Sequence, residues 1–289
     1  MYKSMVIAVN QTEASSQALE QSLAWAASEE SNVVLVSVVP GYDGDLRLMG
    51  DSSILRGMRE PYIQALDRAA ERAATWELPC KKVLRTGEPG EEILTVADEE
   101  QADLIVIGKK TSPILDLIPI GSASAKVLKL SNVDILVIPQ DKELKLDKML
   151  VAYDGSKYAE KAAQRACSIS LSYGCIYFLA TIYEMSLEGY IVSPDVVQKI
   201  YQATQIKQKP IVQLLEERGV RQYEQIIEYG DPVYRALVET AKRKEVGLTV
   251  MGSRGSGSLS HILLGSVVAR FVSSGACPTL IVKGGARPE

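Results

Sequence analysis

"SMVIAVNQTEASSQALEQSLAWAAS", residues 4–28, and "KMLVAYDGSKYAEKAAQRACSISLS", residues 148–172, each run from a short apolar stretch into a helix-patterned one rich in small residues. Met5 stands 144 residues before Met149, and Ala8 stands 144 before Ala152. The same spacing links "DLIVIG", ending at Gly108, to "GLTVMG", ending at Gly252, and "DILVIP" from Asp134 to "PTLIVK" from Pro278. Between them "GEPGEEIL" from Gly87 meets "GDPVYRAL" from Gly230 at an offset of 143, so one small gap separates the copies. A repeat of this length is a duplicated domain, not a solenoid unit of about 20 to 50 residues. The polar stretch "QDKELKLDK", residues 140–148, marks the joint and gives domains over 1–140 and 146–289.

Inside each copy, short β-rich runs alternate with helical patterns, the signature of βαβ units and a parallel sheet covered on both faces. The strands expected in the first copy span 5–9, 33–39, 81–85, 104–107 and 135–138; those in the second span 149–153, 176–183, 222–228, 248–251 and 279–283. The expected fold is therefore α/β, two tandem doubly wound domains, each a five-stranded parallel sheet flanked by about four helices. Glu60-Pro61 is read as opening one helix, Asp231-Pro232 as a cap followed by a first-turn proline, and Pro210 as a kink or break in the helical pattern over 195–219. In such sheets ligands bind at the carboxyl ends of strands near a topological switch point, which directs attention to the loops after strands one and four.

Composition narrows the function classes. Of 289 residues, 46% are hydrophobic and 24% charged, an ordinary globular balance. With 36 acids against 32 bases and no long run of one charge sign, nucleic acid is not an expected partner. Neither a signal-peptide core nor an 18-residue apolar span is visible, so a cytoplasmic location without membrane association is expected. The four cysteines, Cys80, Cys167, Cys175 and Cys277, lack C-x-x-C spacing and read as packed thiols. His261 is the single histidine, so a hydrolytic triad would have to be built on it alone.

Strand four of the second copy runs into "VMGSRGSGSLSHILLGSV", residues 250–267, and then into a helix. Glycine lets backbone N–H groups approach an anion, and a helix N-terminus adds donors and partial positive charge. Gly252, Gly255 and Gly265 are expected to line this bend, with the Ser266 hydroxyl as a further donor and Arg254 as its formal cation. The loop lacks G-K-[ST] and is not a Walker A sequence. A plain Gly/Ser linker is disfavoured because the first copy keeps the register: Gly108, then Thr111 in place of the second glycine, then Gly121-Ser122.

Gly252-Ser-Arg-Gly255, nine residues, then Gly265-Ser266 resembles the G-2x-G-9x-G-[ST] nucleotide motif of the universal stress protein (UspA-like) family. "VAYDGS" is similar to that family's opening strand, and "LLGSVVARFVSSGACPTLIV" to its closing helix and strand. The resemblance covers both copies and implies a tandem two-domain member with the adenine nucleotide alpha hydrolase-like fold. It also implies an ATP pocket, with Mg2+ as an accompanying ion. Ala152, Tyr153 and Asp154 match positions that meet adenosine, and Thr181 a backbone position beside adenine. Met251 and Gly252 match residues near the ribose and phosphates, Gly255 and Gly265 the phosphate loop, and Ser266 and Val267 its closing turn. The resemblance implies an intramolecular pseudo-dimer through the last strands; further homo-oligomerisation stays open.

In the first copy Asn10 replaces Asp154 and Thr111 replaces Gly255. A β-branched Thr111 would resist a left-handed backbone, Pro113 and Pro119 stiffen the loop, and Lys109 and Lys110 could partly compensate by attracting phosphate. Weak or absent ATP binding is expected there. The blander readings are that Asp154 caps the following helix, that the loop serines form turns, and that His261 is a solvated loop residue. A flap or a surface loop are equal readings of 41–57. A non-catalytic, ATP-binding regulatory role is favoured over slow ATP hydrolysis, for which no paired carboxylates mark a site in the loop, and over a nucleotide-free interaction module.

Overall fold

The computed structural model describes residues 1–41, 52–111, 120–184, 194–255 and 264–284. The chain forms two compact units, Met1–Thr111 with Ile120–Asp141, and the chain from Lys142 onward.

Unit 1 contains β1 (Ser4–Ala8), α1 (Glu13–Ser28), β2 (Asn32–Pro40), α2 (Ser52–Ala74), β3 (Cys80–Gly87), α3 (Pro89–Glu99), β4 (Leu104–Lys109), α4 (Ser122–Leu130) and β5 (Asp134–Pro139). Its strands pair in the order β3-β2-β1-β4-β5, every pair parallel. Unit 2 repeats the plan with β6 (Lys148–Ala152), α5 (Lys157–Tyr173), β7 (Ile176–Tyr183), α6 (Pro194–Arg218), β8 (Tyr223–Tyr229), α7 (Val233–Arg243), β9 (Leu248–Gly252), α8 (Ser266–Ser274) and β10 (Thr279–Val282). Its order is β8-β7-β6-β9-β10, again parallel throughout. All ten expected strands form.

Strand one of each copy sits between strands two and four, so its two neighbours are reached by connections running in opposite directions along the sheet. Right-handed crossovers then place the first two helices on one face and the last two on the other. The packing agrees: α1 lies beside α2 and α3 beside α4, and likewise α5 beside α6 and α7 beside α8. The cleft this opens lies at the carboxyl ends of β1 and β4, and of β6 and β9. Covering on both faces explains why the central strands read as continuous apolar runs: Met5, Val6 and Ile7 are fully buried, as are Met149, Leu150 and Val151.

Three helix boundaries differ from the sequence reading. Helix α2 begins at Ser52 and contains Pro61 in its interior instead of opening on it. Helix α6 runs unbroken from Pro194 to Arg218 through Pro210. Proline there removes the bond to the carbonyl of Ile206, but Ile206 is 71% exposed, so solvent can satisfy that oxygen while Gln208, Ile211 and Leu215 anchor the opposite face. Helix α7 starts at Val233 with Pro232 itself at the cap position, so Asp231 is not its cap.

Cys167, Cys175 and Cys277 are buried, and Cys80 is half-buried. Burial foremost pushes the Cys175 and Cys277 thiols up to about 11. A thiol-specific reagent at pH 8 is therefore expected to modify Cys80 first and Cys175 and Cys277 slowest, roughly 100-fold slower than an ordinary thiol, because the thiolate is the nucleophile. Timed labelling read by peptide mass spectrometry checks the order. Among the described residues, no helix is long and apolar enough to cross a membrane.

Candidate nucleotide site

The first wall of the cleft in unit 2 is the turn that leaves β6. Tyr153 N–H donates to the Ala180 carbonyl at 2.8 Å, and the Thr181 hydroxyl donates to the Tyr153 carbonyl at 2.7 Å. Asp154 Oδ1 then accepts from Ser156 N–H at 3.0 Å, closing an Asx turn in which Gly155 has φ +81°. The cap of α5 is Ser156, whose Oγ accepts from Ala159 N–H at 3.2 Å; Asp154 is not the cap. In unit 1, Asn10 Oδ1 accepts from Thr12 N–H at 2.9 Å, and Thr12 caps α1. The same hydrogen bond to the N–H two residues on thus recurs in both copies, with Asn10 in place of Asp154, but Gln11 does not take the left-handed φ of Gly155. Burial foremost, with the Glu160 and Asp154 carboxylates adding, raises the pKa of the Tyr153 phenol.

The second wall is the chain that leaves β9 through Met251 and Gly252. A methyl group on Gly252 would lie 2.5 Å from the Tyr158 carbonyl carbon and 2.8 Å from Ala159 N. On Gly108 it would lie 2.3 Å from the Ala14 carbonyl oxygen. This first glycine therefore sets how closely strand four packs against the first helix of its unit. Arg254 places its guanidinium 5.1 Å from the Tyr158 ring centroid, while its carbonyl accepts from Ser156 Oγ at 3.3 Å. Gly255 does not adopt a left-handed backbone, and neither does Thr111. Backbone strain therefore does not distinguish Thr111 from Gly255, contrary to the expectation from its β-branched side chain. What Gly255 provides is space, since a methyl group there would lie 2.7 Å from Asp154 Oδ2. Thr111 instead donates its hydroxyl to Asp141 Oδ2. The expected help from Lys109 is also corrected: it is buried, its ammonium donates to the Lys110 carbonyl at 3.0 Å, and burial lowers its pKa.

The third element is the N-terminus of α8. Gly265 N–H donates to the Ser253 carbonyl at 2.9 Å, and its own carbonyl takes the first helical bond, from Ala269 at 3.0 Å. Gly265 is the cap residue, with φ −69° and ψ 145°, and no side chain accepts from the first turn. The N–H groups of Ser266, Val267 and Val268 thus have no intrahelical acceptor and carry the positive end of the helix dipole. A methyl group on Gly265 would meet Arg254 Cα at 3.5 Å, the Ser253 carbonyl oxygen at 3.6 Å and Gly255 N at 3.7 Å, ordinary contacts that involve no clash. Helix α4 begins in the same uncapped way at Gly121. By contrast α1, α3 and α5 are capped by their own Thr12, Glu88 and Ser156 side chains.

Asp154, Gly255 and Gly265 are therefore brought together, with Ser266 and Val267 behind Gly265. An ionised carboxylate only accepts hydrogen bonds, and an uncapped helix end only donates them. The pair suits a ligand with hydroxyl or amino donors at one end and an anion at the other. Thr181 is the sequence-derived residue whose side chain is not available to such a ligand, being bonded to Tyr153 and to Gln208. Gln208 itself was missed by the sequence reading, although a glutamine in the apolar stripe with Ile211 and Leu215 was a signal that could have found it. His261, Ser256, Ser258 and Ser260 lie outside the described residues, as does most of the 41–57 segment. Among the described residues, no three His, Cys, Asp or Glu side chains gather as a metal site.

Two doubly wound units, each with a switch-point cleft and an uncapped helix after strand four, define an α/β protein of the adenine nucleotide alpha hydrolase-like class. The chain belongs to the universal stress protein family, whose family model matches residues 1–139 and again 145–283. A universal stress protein of Methanocaldococcus jannaschii is 30% identical over 142 residues, covering 47% of this chain and 81% of the relative. One of Bacillus subtilis is 32% identical over 147 residues, covering 47% of this chain and 99% of the relative. A crystal structure of a universal stress protein from Archaeoglobus fulgidus shares the fold of the whole chain, with a TM-score of 0.71 at 21% identity, covering 97% of this chain and 98% of that one.

Proposed function

We propose that unit 2 binds an adenine nucleotide, ATP in the first place, and that occupancy serves a regulatory, non-catalytic role in a stress response. The observation that carries this reading is the uncapped α8 N-terminus, with Gly255 close to both Gly265 and the Asp154 carboxylate. Gly255, Gly265, Ser266 and Val267 would hold the phosphates on backbone N–H groups, as anions bind at helix ends. Asp154, with Ala152, Tyr153 and the Thr181 backbone, would face the nucleoside, and Met251 and Gly252 would lie near the ribose. Arg254 stands as a phosphate neighbour that leaves its Tyr158 stack only if the nucleotide draws it away. Unit 1 keeps the frame, but Asn10 and Thr111 change its chemistry, and it is proposed to bind nucleotide weakly or not at all.

The direct test is to denature the purified full chain, identify any released nucleotide, and titrate the stripped protein with ATP by calorimetry. Absence of ATP binding would sink the reading. Asp154→Asn refines it. Asn10 shows that an amide oxygen can accept the same hydrogen bond from the N–H two residues on, so thermal stability is expected to stay within about 0.5 kcal/mol. Exchanging a charged for a neutral hydrogen bond to the nucleoside costs about 1 to 1.5 kcal/mol, so ATP affinity is expected to fall roughly 10-fold.

A further inference from the structure

Gln208 is fully buried, on the face of α6 turned to the sheet. Its Nε2 lies 2.9 Å from Thr181 Oγ1, 3.2 Å from the Leu179 carbonyl and 3.3 Å from the Ile226 carbonyl, and its Oε1 accepts from Gln225 Nε2 at 3.0 Å. The Thr181 hydroxyl, held by this amide, directs its own proton to the Tyr153 carbonyl at 2.7 Å. Tyr153 is the residue before Asp154. The neighbouring Lys207 reinforces the arrangement: its stem lies over Gly155, where a methyl group would meet Lys207 Cγ and Cδ at 2.9 Å. Two successive residues of α6 therefore back the turn that carries the Asp154 carboxylate.

Unit 1 shows the same place without that backing. Ser37 occupies the position of Thr181, Val9 that of Tyr153 and Gln11 that of Gly155, each 144 residues earlier. On α2 the buried positions Leu66, Ala69 and Ala73 repeat the spacing of Gln208, Ile211 and Leu215 on α6 at an offset of 142, so the helices pair by burial in a register two residues from that of the preceding strands, with Leu66 against Gln208 and Ala65 against Lys207. The Ser37 hydroxyl, fully buried, has no hydrogen-bond partner among the described residues. A cleft of about 290 Å³, lined by Gln11, Ser15, Ala65 and Ala69 among others, opens between α1 and α2. The copy with Asn10 lacks the relay, and the copy with Asp154 has it.

We infer that Gln208 is a positioning residue for the unit 2 nucleotide site, fixing the Asp154 turn through Thr181 and the Tyr153 carbonyl. The inference rests on the nucleotide reading of that site. A buried hydrogen-bonded relay holds a turn in one geometry before the ligand arrives, so the ligand need not meet the cost of ordering it.

Gln208→Met keeps volume and removes the amide, and Thr181→Val keeps shape and removes the hydroxyl. Calorimetric titration of the full chain with ATP is expected to show each variant weakened about 5- to 10-fold, the worth of one such bond. Because both act through one chain, the double variant is expected to bind within about two-fold of the weaker single one. Amide hydrogen exchange at Gly155 and Ser156 in the nucleotide-free protein is expected to quicken in both. ATP affinity of Q208M within about two-fold of wild type overturns the inference, whatever happens to its melting temperature, and so do losses that multiply in the double variant. T181V alone keeps the test decisive should Q208M not fold. A wild-type protein that takes up no ATP overturns the site reading beneath the inference instead, which separates the two failures.

Discussion

Replacing Gly265 with valine is expected to abolish measurable ATP uptake by unit 2, a loss of at least about 100-fold, while the protein stays folded. The size of the effect follows from where the new side chain must sit. Gly265 precedes the three N–H groups of α8 that have no intrahelical partner, and an added methyl carbon there would meet Arg254 Cα, the Ser253 carbonyl oxygen and Gly255 N at 3.5 Å, 3.6 Å and 3.7 Å, ordinary contact distances. The first carbon of a branched side chain therefore fits without a clash, and its branches are expected to stand where phosphates would approach these N–H groups. Backbone strain does not enter, because φ at Gly265 is −69°, a value open to any residue. The expected structural cost is that of a poorer helix cap, about 1 kcal/mol or a few degrees in Tm. Gly121→Val supplies the control, since α4 is uncapped in the same way. It is expected to carry a similar small stability cost and leave the ATP stoichiometry unchanged. Calorimetry and thermal melts of both variants read the two effects separately, and undiminished ATP binding by G265V would remove the phosphate assignment.

The sequence made some of this legible and hid the rest for physical reasons. Parallel strands buried on both faces must be apolar along their whole length, so runs such as "LIVI" at Leu104 and "DILVIP" at Asp134 announce themselves, and a 144-residue offset makes the second copy corroborate the first. Prolines misled because their local preference was overridden. Pro210 stays inside α6 since the carbonyl it strands faces solvent and the core face on either side of it remains packed. Gly255 misled differently. A glycine suggests a left-handed backbone, whereas this one has none, and what an added methyl would meet is the carboxylate tip of Asp154, a residue 101 positions away in the chain. Gln208 was passed over, despite its place in the stripe with Ile211 and Leu215, because a polar residue on an amphipathic helix is ordinarily assigned to solvent. Only the register of α6 against β7 and β8 turns it inward, where its amide meets carbonyls of both strands.

Gly252→Ala is expected to do the reverse of Gly265→Val, although both glycines belong to one sequence motif. An alanine methyl at 252 would stand 2.5 Å from the Tyr158 carbonyl carbon, 2.7 Å from its oxygen and 2.8 Å from Ala159 N. These are backbone atoms in the first turn of α5, and no rotamer change can relieve the contact. The helix must withdraw from β9, which loosens the packing around the buried Ala159 and Ala162. Overpacking of this kind costs about 3 kcal/mol. The smaller conformational freedom of alanine in the unfolded chain returns only about 0.4 to 1 kcal/mol, so destabilisation wins. Unit 2 is expected to melt roughly 10 °C lower. Gly108→Ala is expected to act alike on unit 1, where the methyl would lie 2.3 Å from the Ala14 carbonyl oxygen. Ligand linkage distinguishes the two glycine roles in one experiment. Saturating ATP stabilises whatever folded protein still binds it, by about 2.7 kcal/mol at a hundred times the Kd. Added ATP should therefore raise the Tm of unit 2 in G252A by several degrees and leave that of G265V where it was, while the lowered unit 1 transition of G108A, in the copy proposed to bind nucleotide weakly or not at all, should stay where it is. Equal responses from G252A and G265V would mean that the two glycines do one job, and that the division between a packing glycine and a ligand glycine is wrong.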